Sequence, residues 1–135
     1  MKAVFADAFF YIALLNRRDA GHRRAMDVLV LGGIKTVTTT AVLLEVADAM
    51  TAPVWRGVCT TFLEELPKQS GTSVRSLDED LWKRGLELYG SRSDKEWSLT
   101  DCISFVVMKD EGLEEALTGV RHFEQAGFKA LLVGK

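Results

Sequence analysis

Strand-length apolar runs alternate with stretches of helical period along the whole chain, and this alternation restricts it to an α/β fold with a parallel sheet. Residues 3–6 (AVFA) read as a buried strand that Asp7 closes before the helical run 9–15. Asp19 reads as the cap of a second helix carrying His22, Arg23, Arg24, Ala25, Val28 and Leu29, which Gly32 and Gly33 end. A strand over 34–37 follows, then a helix over 41–50 capped from Thr38-Thr39-Thr40, and another over 54–66 ending near Pro67. Residues 71–74 predict a third strand and 77–89 an amphipathic helix, and 90–96 is a polar loop. Ser98 and Asp101 match a capping box before the apolar helix 102–108, which Gly112 terminates. Residues 115–118 and 129–133 predict the last two strands. The expected architecture is a three-layer α/β/α sandwich around a parallel sheet of about five strands, in one domain over residues 1–135.

Composition removes several function classes. With 47% hydrophobic and 27% charged residues in a chain of 135, a core forms without disulfides or a structural metal. Cys59 and Cys102 have no partner at zinc-ligand spacing and read as reduced core residues. A net charge of −2 supplies no global field for nucleic acid, so a polyanion must be held by local patches. No run reaches the roughly 18 to 20 apolar residues of a membrane span, and residues 9–15 lack the flanks of a secretion signal, which predicts a cytoplasmic protein.

Three acids stand where an apolar run gives way to the next element or a helix begins: Asp7, Glu45 and Asp101. Each has a plain reading. Asp7 suits a helix N-cap, Glu45 lies at the border of an apolar stripe, and Asp101 is the capping-box acid of Ser98. Each also has a functional reading, because an α/β fold collects such positions at the carboxyl edge of its sheet, where grouped carboxylates hold a hard divalent cation. The two readings are compatible, one carboxylate oxygen serving each. Asp101 adds a further consideration: it projects from an apolar helix, where a carboxylate needs a partner or a cation.

The segments around these acids resemble the PIN-domain family, and within it the VapC-like ribonuclease toxins of bacterial toxin–antitoxin pairs. Four segments carry the resemblance: VFAD followed by FYIALLN from Val4 to Asn16, VLLEV from Val42 to Val46, WSLTDCISF from Trp97 to Phe105, and ALT running into HFEQAGF, which ends at Phe128. The resemblance implies an endoribonuclease that binds Mg²⁺ or Mn²⁺ through Asp7, Glu45 and Asp101. The metal is expected directly on Asp7 and Asp101, with Glu45 ordering a water, and the products carry a 5′-phosphate and a 3′-hydroxyl.

The family's fourth acid falls at Val120, which leaves a triad in place of a quartet. Asp94 and Glu96 are the nearest spare carboxylates in sequence. The resemblance further implies an RNA substrate, a protein antitoxin seated on the apolar face of residues 41–66, and a homodimer. Backbone contacts to RNA are expected from Arg17, Arg18, Arg23, Arg24, Arg121 and His122. The alternative is a PIN-like module that engages RNA or antitoxin without efficient cleavage. Other phosphoryl-transfer folds fit less well: a haloacid-dehalogenase-like phosphatase wants an acid where Phe9 stands, and neither a Walker loop nor a GxGxxG turn is present.

Overall fold

Residues Lys2–Ala6 (β1), Ile34–Thr39 (β2), Thr72–Arg75 (β3), Glu115–Leu117 (β4) and Lys129–Ala130 (β5) build one sheet in the order β3-β2-β1-β4-β5, in a computed structural model that describes residues 2–134. Every pairing is parallel, with Phe5 opposite Val37 on one side and Ala116 on the other. β1 is central and its Val4, Phe5 and Ala6 are fully buried, which is why this segment is apolar without alternation.

Among the described residues the helices are Ala8–Leu15 (α1), His22–Leu31 (α2), Thr40–Ala49 (α3), Pro53–Glu65 (α4), Glu79–Ser91 (α5), Leu99–Asp110 (α6) and His122–Gln125 (α7). The chain leaves β1 toward β2 and β3 and later returns to the opposite side of β1 with β4. Right-handed crossovers therefore put the helices of the two excursions on opposite faces of the sheet. The strand order reverses between β1 and β4, and the crevice beyond their carboxyl ends is where such folds bind ligands. Asp7 leaves β1 and Thr118 leaves β4 at that crevice.

The helix starts follow local chemistry. Thr39 caps α3 by accepting the Val42 amide at 3.1 Å, and Asp78 caps α5 by accepting the Leu81 amide at 2.8 Å. The Thr38 hydroxyl turns instead to the Ala6 carbonyl, 2.8 Å away, and fastens β2 to the last residue of β1. α5 and α6 approach closely because residue 85 is glycine: a β-carbon there would lie 2.5 Å from Ile103 Cγ1.

Several expectations change. Asp19 does not cap α2; its carboxylate accepts the Gly21 amide at 2.7 Å and shapes the preceding turn, leaving Gly21 at the N-cap. β2 extends to Thr39, and β5 is only two residues long, since the main chain of Leu131 and Leu132 bonds to Ala116 and Thr118 outside the strand. α7 was not anticipated at all, a single helical turn being too short to show a period. Cys59 and Cys102 are buried and free, and no described helix is long and apolar enough to cross a membrane.

Candidate active site

Asp7 is the first residue past β1, and its amide still reaches the Leu117 carbonyl of β4 at 3.3 Å. The residue is 3% exposed, and its side chain makes no capping hydrogen bond to α1. The buried Thr118 hydroxyl donates to Asp7 Oδ2 at 2.8 Å and accepts the Val120 amide at 3.1 Å. Val120 is thus one hydroxyl away from the first acid, half-buried against the core. Gly119 between them leaves room for the Phe9 ring, which a β-carbon would meet at 2.5 Å.

Asp101 sits in the first turn of α6 within a complete capping box: Ser98 Oγ accepts the Asp101 amide at 3.0 Å, and Asp101 Oδ2 accepts the Ser98 amide at 3.1 Å. The same Oδ2 lies 2.8 Å from His122 Nδ1 at the start of α7, a donor in the tautomer that carries its proton there. Both of these side-chain contacts fall on Oδ2.

Glu45 is half-buried on α3. Its carboxyl is pushed up to about 7, first by burial and then by the negative charges of Asp7, Asp101 and Asp48. Burial likewise pushes Asp7 up to about 6; the Thr118 hydroxyl pulls it back, and Asp101 adds to the rise. The three acids predicted from sequence therefore lie in one electrostatic neighbourhood, and neither Asp7 nor Glu45 joins any ion pair among the described residues.

They do not form a closed cage. No three His, Cys, Asp or Glu side chains among the described residues converge as a ready-made metal site. The donor set nonetheless suits a hard cation that keeps most of its waters: hard carboxylate oxygens carrying uncompensated charge, two of them anchored by protein donors on one oxygen. Asp94 belongs elsewhere. Its carboxylate is held by Arg92 at 3.0 and 3.1 Å on an exposed loop, which also holds its pKa below the usual range, and Glu96 is exposed.

Of the basic residues, Arg121 pairs with Glu124 and Arg23 approaches Asp27, whereas Arg17 and Arg18 are exposed beside the half-buried Trp55. Sequence reasoning missed Thr118 as the partner of Asp7 and did not assign His122 to Asp101. A threonine at a strand end and a histidine before an aromatic have ordinary structural uses, and nothing local marks their contacts.

No family model matches the chain, and no curated protein does. Solved structures do. VapC20 of Mycobacterium tuberculosis, a Sarcin-Ricin loop-cleaving toxin, superposes with a TM-score of 0.84 over 93% of this chain and 95% of its own, at 24% identity. VapBC2 of Rickettsia felis, solved bound to a DNA fragment from its promoter, superposes with a TM-score of 0.65 at 10% identity, covering 95% and 96%. The chain has the PIN-domain fold. The parallel sheet of five strands is as the sequence led one to expect, whereas the crevice between β1 and β4, which Asp7 adjoins, follows from a strand order that only the structure shows.

Proposed function

We propose that the chain is a divalent-metal-dependent endoribonuclease, the toxin of a toxin–antitoxin pair. The observation that carries this reading is that burial and neighbouring carboxylates raise both Asp7 and Glu45, with Asp101 contributing to each, while neither Asp7 nor Glu45 has a cationic partner among the described residues. The likeness to VapC20, a Sarcin-Ricin loop-cleaving toxin, supports the choice of substrate.

Asp7 and Asp101 would hold Mg²⁺ or Mn²⁺, and the ion would supply Lewis-acid stabilisation of charge on a phosphodiester and a more acidic water. Thr118 holds Asp7 by one oxygen, and the Ser98 amide and His122 hold Asp101 by Oδ2, so both carboxylates are oriented before substrate arrives. Glu45, raised toward neutrality, is suited to accept a proton from the attacking water and to order it. Arg17 and Arg18, exposed, are available to the RNA backbone.

The partner is an antitoxin whose apolar helix covers α3 and α4, where Leu44, Val54 and Val58 are 62%, 78% and 55% exposed. Self-association is part of the same reading, and sedimentation of the purified chain measures it.

Val120 favours a second reading, a weakened PIN module that binds RNA or antitoxin and cuts poorly, because an apolar residue stands where the main chain is one hydroxyl away from Asp7. One experiment separates the two. A defined RNA incubated with Mg²⁺ is cut by the native chain, not by Asp101→Asn, and not in excess chelator. Cleavage that survives chelation overturns the metal scheme, and cleavage seen only in Val120→Asp establishes the weakened module.

A further inference from the structure

A cavity of about 300 Å³ lies between α5, α6 and α7, bounded in part by Trp97, Phe105, Phe128, Gln125, Arg92 and Lys109. Its walls are aromatic: Trp97 and Phe105 meet edge to face at 5.0 Å, and Phe128 lies 5.7 Å from Phe105. The Arg92 guanidinium stacks 4.9 Å from the Trp97 ring centre. Trp97 Nε1 donates to Gln125 Oε1 at 3.0 Å, which orients the amide and leaves its NH₂ free to donate to a ligand.

This cavity shares its framework with the acids. Trp97 directly precedes Ser98, whose amide binds Asp101, and Gln125 lies one turn along α7 from His122, which binds the same carboxylate. Its rim is cationic. Lys109 takes part in no ion pair among the described residues, and Arg92 adds a second cation although Asp94 shares it.

We propose that this cavity is a subsite for one unstacked nucleobase of the RNA strand that reaches the acids, with Lys109 and Arg92 on the adjoining phosphates; the proposal rests on the ribonuclease reading above. Aromatic walls take the face or edge of a base, the Gln125 amide reads an acceptor on it, and the cations at the rim hold the backbone, the combination by which proteins grip single-stranded nucleic acid. The volume is at the low end for ligand cavities and suits one ring system. An aliphatic side chain of a protein partner would fill it equally well but would use neither the amide nor the unpaired lysine.

The test uses the full chain with Trp55→Phe and Trp82→Phe, which leaves Trp97 as the sole tryptophan. A short oligoadenylate is titrated in chelator to prevent cleavage, beside the same strand with one abasic nucleotide. The intact strand quenches Trp97 and the abasic strand does not. Lys109→Ala weakens binding about tenfold and reduces the slope of log affinity against log salt by about 0.7, the signature of one lost phosphate contact, while Lys109→Arg restores both. Gln125→Ala, at an exposed position, lowers affinity without changing the salt slope.

If the chain binds and cuts RNA while Trp97 stays silent and Lys109→Ala binds as its parent does, the subsite is wrong and the ribonuclease reading stands. A chain that neither binds nor cuts RNA overturns both. Quenching by a co-expressed protein partner but not by RNA assigns the cavity to protein docking and overturns the subsite.

Discussion

His122 Nδ1 and Asp101 Oδ2 lie 2.8 Å apart, on an oxygen that also accepts the Ser98 amide that opens α6. One histidine therefore ties the short α7 to the acid of a different helix and occupies Oδ2 of Asp101. Replacing it should loosen that carboxylate without unfolding the chain, because His122 is part-exposed. His122→Ala should weaken Mn²⁺ binding about tenfold or more, and His122→Asn, which keeps a donor, should recover part of it. Calorimetric Mn²⁺ titration measures this independently of activity, and equal affinities for all three proteins would refute the orienting role.

Thr118 has a comparable relation to Asp7, but it is fully buried and serves two partners. Thr118→Val removes the hydroxyl while keeping the shape, leaving the Val120 amide without its acceptor and Asp7 without its donor. The expected cost is about 1–3 kcal/mol by urea unfolding at neutral pH. Since the hydroxyl holds the Asp7 carboxyl down, its removal should also move the Asp7 titration, followed by carboxyl-carbon NMR, above its position near 6.

The raised acids make the metal-free chain sensitive to pH, and the direction is fixed. Asp7 titrates near 3.8 when unfolded and near 6 when folded, so between those values the folded state binds the extra proton. Its contribution is fully present below about pH 4 and is lost as pH rises through about 6, a loss of about 3 kcal/mol. Glu45 acts in the same direction from 4.5 toward 7. Thermal melts in chelator should fall from pH 4 to pH 7 after correction for the remaining acids, Asp7→Asn should flatten the fall, and Mn²⁺ should raise the melting temperature most above pH 7. A metal-free chain whose stability rises across that window would contradict the burial of these charges.

Val120→Asp adds a carboxylate on the residue whose amide bonds to the Thr118 hydroxyl that holds Asp7. Without metal the new charge should raise the Asp7 pKa further and lower the melting temperature at pH 8; with Mn²⁺ the variant should bind more tightly than its parent. Opposite signs in the two conditions distinguish a metal site from a simple electrostatic defect. Unchanged melting and affinity would mean that position 120 does not face the acids.

Gly119 accommodates the Phe9 ring at the turn between Thr118 and Val120. Gly119→Ala should destabilise by about 1–3 kcal/mol through overpacking, and Phe9→Leu in the same chain should recover part of the loss. Additive losses in the double variant, measured by urea unfolding, would show that the ring and the glycine do not share that space.

Much of this arrangement was legible from the residues. The apolar segment that became β1 has no alternation because both its faces are covered, and the capping box at Ser98 and Asp101 is a local pattern that formed as written. The two-residue β5 was expected to be longer, since an apolar run records burial and not strand pairing; Leu132 is buried although it lies outside the strand. Asp19 looked like a cap but closes a turn, because one carboxylate can satisfy either set of amides and only the chain's path selects between them.

Alternating apolar periods determined the parallel α/β sheet and placed Asp7 and Asp101 at element boundaries, because period and capping are encoded within a few residues, whereas Glu45, expected near the start of its helix, lies in the middle of α3. Tertiary structure alone decided what each acid touches. The Thr118–Asp7 bond spans 111 positions and the His122–Asp101 bond 21, and the joining of Trp97 to Gln125 spans 28. Contacts between residues so far apart depend on the strand order that brings β4 beside β1, and no local pattern in the chain carries that order.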